Sequence, residues 1–547
     1  MRLFFCAGPA ARDPFPIRCV MPVPFLPRAD DPDSWRRAFL VLLVVLTALR
    51  VALAIALPFT GDEAYFYYWG KNPDWGFYDH PPMVGWWLAA LSAVSEHPAV
   101  LRLPAVLAPP AMALATRALL ASAGPAISWG AASLVLLAPL NAVNVAITTD
   151  VPLMAFAFAT MALYLRALRT GRSLDYLLAG LMLAGALLSK YFAGPLALAI
   201  GGHRLFTRGP GRWRGLALLV AGSLASVAVM APWNAANCWP NLMFNLVNRH
   251  GDAGWSWRTP LLYAASLAYV LGVPVLVGLL RGRADRAATP AWRTRDGALA
   301  WMTALPYGLF AALSAVKTVG LHWLAAFVAP ATWLFALRAG ERGPAEGARR
   351  LRLAIGVAAA VAALHWIAIG VLAAVPTERF ARWKSYPGLV MTVHADELLA
   401  ALEPWRAGHV WAADGYSPAV TLGFADRGRR NNRDDRVIVF GPASSHARHD
   451  DILTDFRAID GRDVLLVLKQ PPQPGRWEPY FERTERHEVT VRGATFHLVR
   501  GVGFRYERYR DDVLEDVRAR WYAVPAWLPA GPCYFCDRYF PERACHR

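Results

Sequence analysis

Apolar runs long enough to cross a bilayer recur along the chain, separated by short polar connections. They fall at 38–59, 99–121, 125–146, 151–168, 174–189, 191–206, 215–233, 260–280, 297–316, 322–338 and 351–375. The pattern therefore predicts about eleven membrane helices, with 174–189 and 191–206 short for independent spans. After 375 it changes. Short apolar runs at 409–414, 436–441, 463–469 and 489–499 read as strands, and 394–406 reads as a helix. The predicted fold class is a polytopic α-helical membrane protein with a small C-terminal α/β domain. Its predicted divisions are an N-terminal segment 1–37, a membrane body 38–375, a soluble domain 376–510 and a tail 511–547. There is no internal repeat.

The connections carry the charge. Arg36 and Arg37 precede the first run, and alternate later connections hold most of the remaining arginines of the membrane body. Short positive loops face the cytoplasm. The N-terminus is thus expected inside, and an odd number of spans puts the α/β domain outside. Composition agrees: of 547 residues 56% are hydrophobic and only 18% charged, against about a quarter charged in soluble domains. The net charge of +17 is spread between apolar runs and forms no stripe that would bind nucleic acid.

The first twenty residues lack a sustained apolar core and do not read as a cleavable signal; Met1 and Met21 both stand as candidate starts. Cys533, Cys536 and Cys545 with His546 resemble a small zinc knuckle in composition. Their spacing lacks paired half-sites, so a disulfide in an oxidising compartment or an incidental tail is the preferred reading.

The first outer connection, GDEAYFYYWGKNPDWGFYDHPPMVGWW (61–87), holds four carboxylates, a His and ten aromatic rings. EAYFYYWG and PMVGWWLAAL suit two interfacial helices, and most rings suit an aromatic belt. Asp74 reads as a solvated acid. Asp62 does not, because it follows directly on a span end, where polar groups tend to be functional. The second outer connection carries one charge, Asp150, for which helix capping is the competing role. Two later connections supply Arg249 with His250, and Lys317 with His322. Acids from two connections and cations from two others suit transfer from a phosphate-linked donor.

At these residues the sequence resembles the GT-C glycosyltransferases of family 39, the protein O-mannosyltransferase and aminoarabinose-transferase type. The resemblance rests on Asp62-Glu63, on YDHPPM (78–83), on TTDVPL (148–153) and on GALLSKYFAGP (185–195), and covers about 38–375. It implies a GT-C fold of about eleven transmembrane helices and transfer of a sugar, hexosyl or pentosyl, from a polyprenyl-phosphate donor. The acceptor would be lipid A, a glycolipid, a polysaccharide or a protein, met at the outer face of a bacterial inner membrane. It also implies Asp62, Glu63 and Asp150 as catalytic acids, with Asp79 and Lys190 supporting them. His80 replaces the Lys of the aminoarabinose transferases, which makes a permanent cation titratable.

On this reading Asp62 is the general base and His80, Arg249, His250, Lys317 and His322 hold the departing phosphate. No cofactor is required, though a divalent metal on Asp79, His80 and Asp150 stays open. Arg50, inside the first run, either snorkels or contacts another helix. A lipid-linked sugar flippase or an O-antigen polymerase or ligase is the alternative function. Flippases more often carry mid-helix charges and matching broken helices.

Overall fold

The structure, a computed structural model, describes residues 27–28, 31–207, 211–248, 254–281, 295–427, 436–441, 448–543 and 545. All eleven predicted segments are helical. Among the described residues seven are long and apolar enough to cross a membrane, and a bent pair, counted as one span, makes an eighth. The chain is a multi-pass membrane protein.

The shortfall from eleven has local causes. Pro139 restricts Ala138 to extended backbone, which ends one helix at Leu137 and starts another, Pro139–Val143. The helix Ser173–Ser189 has 17 residues and Gly194–Phe206 has 13, each shorter than the ~20 that a span needs. Arg258–Leu271 and Val273–Arg281 meet at 102°, hinged on Gly272, whose φ of +78° lies in the region that favours glycine.

The first span, Pro32–Ala56, is capped by the Asp31 carboxylate and begins with proline. Most of it faces lipid, but Arg50 points inward and is fully buried. Its guanidinium donates to the carbonyls of Ala105 and Asn141. Ala105 lies four residues before Pro109, which has no N–H to offer it, and Asn141 sits in the last turn of a short helix. Arg50 therefore satisfies carbonyls that two helix irregularities leave over, which decides for the inter-helix role over snorkelling.

Among the described residues the C-terminal region forms a five-stranded sheet from β1 (His409–Ala413), β2 (Ile438–Val439), β3 (Asp463–Leu468), β4 (Phe481–Val491) and β5 (Ala494–Phe504), in the order β2-β1-β3-β5-β4. β1 pairs in parallel with β2 and with β3. β3 pairs antiparallel with β5, and β5 with β4. The segment 489–499, expected as one strand, straddles a hairpin. Arg492 and Gly493 both have positive φ and make its two-residue turn. The expected strand 436–441 shrinks to Ile438–Val439, whereas the 394–406 helix forms as Ala395–Ala401 and a further turn.

Residues after 510, expected as a tail, pack against the sheet. Val513, Leu514, Val517 and Phe535 share one hydrophobic core with Phe440, Leu466 and Phe504 of the sheet region, because burying that sheet face needs the tail's apolar side chains. Tyr78 from the first connection enters the same core. Cys238, just beyond the helix Arg212–Ala236, is disulfide-bonded to Cys533, and Cys536 to Cys545. His546 lies outside the described residues. The sheet domain is therefore fastened to the membrane body by packing and by a covalent bond.

Candidate active site

Two helices from distant parts of the chain make the frame. The first connection folds as the helices Gly61–Lys71 and Met83–Val94, as expected. Gly61–Lys71 starts in a capping box: Thr60 Oγ1 accepts from the Glu63 amide while the Glu63 carboxylate accepts from the Thr60 amide. The helix Tyr416–Asp426 of the sheet domain packs along it. Phe59 and Phe424 stack with ring centroids 4.1 Å apart. A β-carbon at Gly61 would come within 2.7 Å of Ser417 Oγ, so glycine permits the close approach.

Between these helices and the membrane body lies a cavity of about 370 Å³. Asp62, Asp79, His80, Asp150, Lys190 and His322 line it, with Tyr416 and Arg448 from the sheet domain. Of the residues singled out in the sequence, Asp62, Asp79, His80, Asp150, Lys190 and His322 share this space, whereas Lys317 does not line it. Asp62 is exposed and has no ion pair among the described residues.

The other two carboxylates are fixed. Lys190 Nζ donates to both oxygens of Asp150, at 2.9 and 3.0 Å. Lys190 sits in extended backbone at the break between the helices Ser173–Ser189 and Gly194–Phe206, which frees its side chain to reach the cavity. Asp150 begins the helix Asp150–Thr170, yet its side chain spends its bonds on Lys190 rather than on capping amides. Asp79 is buried. One oxygen accepts from Tyr65 Oη and the other from Arg448 Nη1, both at 3.1 Å. Burial, reinforced by the Asp79 charge, pushes the Tyr65 phenol well above its usual range, so it stays a donor.

Glu63 and Lys317 depart from their expected places. Glu63 is fully buried and lines no part of the cavity. Its carboxylate takes Arg102 Nε and Nη2 at 2.8 and 2.7 Å and also accepts from the Ile147 amide at 3.1 Å. Arg102 in turn donates to the carbonyls of Ala54, Leu57 and Pro58, which end the first span. Glu63 is therefore a positioning residue that ties the first connection to the Thr148–Asp150 loop, since a carboxylate so enclosed reaches no substrate. Lys317 lies in the turn after the helix Arg295–Ser314 and is not among the residues that line the cavity. Arg249 and His250 fall outside the described residues. Asp79 and Asp150 are each engaged by a cation, Arg448 and Lys190, and with His80 they are not a group whose ligand atoms lie within 4.8 Å of one another. Among the described residues, the ligand-type side chains that gather within 4.8 Å are Cys533, Cys536 and Cys545. Asp74 accepts from Trp233 Nε1 at 2.9 Å, a structural bond.

Sequence reasoning missed Arg448 and Tyr416. The Arg448 guanidinium lies 4.2 Å from the Tyr416 ring centroid, and its backbone has φ +57°, a conformation that costs a non-glycine residue of order 1–3 kcal/mol and gathers at functional sites. Neither signal is visible in a local sequence pattern.

Residues 79–235 match the family described as dolichyl-phosphate-mannose-protein mannosyltransferase. The span includes Asp79, His80, Asp150 and Lys190. The ArnT of Cupriavidus metallidurans, solved bound to undecaprenyl phosphate, aligns in three dimensions with a TM-score of 0.54, over 84% of this chain and 97% of its own, at 14% identity. The chain has the GT-C glycosyltransferase fold. In sequence it is similar to the lipid A galacturonosyltransferase RgtD of Rhizobium johnstonii, 28% identical over 330 residues, which is 55% of this chain and 66% of that relative.

Proposed function

We propose that this GT-C protein is a glycosyltransferase that moves a sugar from a polyprenyl-phosphate donor to an envelope acceptor. The observation that carries the reading is the cavity itself: Asp62, a carboxylate with no ion pair among the described residues, lines it together with two ion-paired cations, Lys190 and Arg448, where the membrane body meets the sheet domain. The undecaprenyl phosphate bound by ArnT and the lipid A sugar chemistry in the name of RgtD support it. RgtD's galacturonosyl group also favours a hexosyl over a pentosyl donor, and lipid A or a related glycolipid as acceptor.

The chemistry is a single displacement. Asp62 takes the proton of the acceptor hydroxyl as its oxygen bonds to the anomeric carbon, and the bond from that carbon to the phosphate oxygen breaks. Such proton transfer contributes roughly 10²–10⁴-fold. The polyprenyl phosphate leaves with the electron pair, and Lys190, with His322 at the same cavity, holds the charge. No metal enters this scheme, because the leaving group is a monophosphate. The arginine-rich connections and the Cys238–Cys533 disulfide support a bacterial inner membrane with the N-terminus inside and the sheet domain outside.

The test is reconstitution of the full chain in vesicles with a polyprenyl-phosphate hexose and lipid A. Mass spectrometry should find free polyprenyl phosphate and glycosylated lipid A in equal amounts. Movement of intact donor between leaflets, with neither product, would instead identify a flippase.

A further inference from the structure

Among the described residues two permanent cations, Lys190 and Arg448, line the cavity, and a polyprenyl-phosphate donor brings one phosphate. Lys190 belongs to the membrane body, at a break between two apolar helices. Arg448 comes from the sheet domain and pairs with Asp79, whereas Lys190 pairs with Asp150.

We propose that Arg448 is a specificity-determining residue that pairs with a carboxylate on the sugar being transferred, so that the donor is a polyprenyl-phosphate-linked uronic acid. The proposal rests on the sugar-transfer reading of this cavity.

The geometry suits that task in three ways. Among the described residues Asp79 engages Nη1 of the guanidinium alone, at 3.1 Å, which leaves Nε and Nη2 to grip a second carboxylate as a fork. The Tyr416 ring beneath the guanidinium at 4.2 Å keeps its plane fixed. Asp79 is itself held by Tyr65, and the Tyr65 hydroxyl accepts from the His449 amide at 3.3 Å, so both the anchor and the residue next to Arg448 are tied to the first connection. Lysine, a point charge without the fork, would not reproduce this. An arginine is also the costlier choice here, since the backbone at 448 is left-handed without being glycine.

The test compares three lipids on the purified full chain in nanodiscs: bare polyprenyl phosphate, polyprenyl-phosphate galactose and polyprenyl-phosphate galacturonic acid. Binding is read by quenching of the intrinsic tryptophan fluorescence. Wild-type protein should bind the uronosyl lipid about 10- to 100-fold tighter than the galactosyl lipid. Arg448→Gln should erase that difference while keeping its affinity for bare polyprenyl phosphate, and Arg448→Lys should recover only part of it. A thermal melt of each variant shows that the domain is still docked. Equal loss for all three lipids would make Arg448 a phosphate ligand and overturn the proposal, as would an unchanged preference in Arg448→Gln. If no lipid binds wild-type protein, the donor reading fails and the proposal falls with it.

Discussion

Arg102 closes on Glu63 with two parallel N–H donors, at 2.8 and 2.7 Å, and neither side chain is exposed. Although Glu63 adjoins Asp62 in sequence, the two acids divide the work: one is enclosed with a cation, the other faces the cavity.

That division sets a contrast in stability. Removing one partner of a buried pair strands the other charge, at a cost of about 3–5 kcal/mol. Glu63→Gln should therefore lower the thermal midpoint in detergent sharply or abolish insertion. Asp62→Asn should melt like the parent.

Asp62→Asn should at the same time lose roughly 10²–10⁴-fold in kcat, with the affinity for bare polyprenyl phosphate retained. Single-turnover release of the lipid phosphate measures the first quantity and fluorescence titration the second. Turnover near the parental value would remove Asp62 from the role of base.

Lys190→Gln leaves Asp150 without its ion pair and the departing phosphate without a cation. Affinity for polyprenyl phosphate should fall about tenfold, in keeping with one charge-assisted hydrogen bond. Asp150→Asn frees the ammonium and should not weaken lipid binding.

Burial pushes the His449 imidazole down from 6.5 to about 3; the nearby Asp79 charge opposes the shift and the Arg436 charge adds to it. The unfolded chain takes up this proton near pH 6.5 and the folded one only near 3. Between those values the unfolded state binds more protons, so stability falls as pH drops from 6.5 towards 3 and is level above 6.5. The slope is about 1.4 kcal/mol per pH unit for this one group. Melts across that window should flatten in His449→Gln relative to the parent.

The Cys238–Cys533 bond closes a sequence separation of 295 residues. Peptide mapping without reductant should recover the two half-cystines linked. Cys533→Ser should cost about 2–4 kcal/mol on thermal unfolding.

Much of the fold is written in local patterns. Runs such as 151–168 and 215–233 report their helices because an apolar stretch in lipid has little choice but to hydrogen-bond internally. The hairpin at Arg492-Gly493 was less legible, since its turn sits inside an unbroken β-rich run. In the site, Asp62 stands out by position at a span end. Glu63 does not, because a capping box and a catalytic pair look alike until Arg102 is seen. Asp150 carried two readings, cap or functional acid, and only the approach of Lys190, 40 residues away, separates them. Arg448 belongs to a different domain from every acid it serves, and contacts across 369 residues leave no periodic trace.

The packing of Tyr416–Asp426 along Gly61–Lys71 gives the soluble portion a part in building the reaction chamber rather than in decorating it. A version cut after the last membrane helix would keep its spans and lose a wall. Grafting the sheet region of one homologue onto the hydrophobic portion of another would then exchange sugar preference, leaving the handling of the isoprenoid carrier to the host.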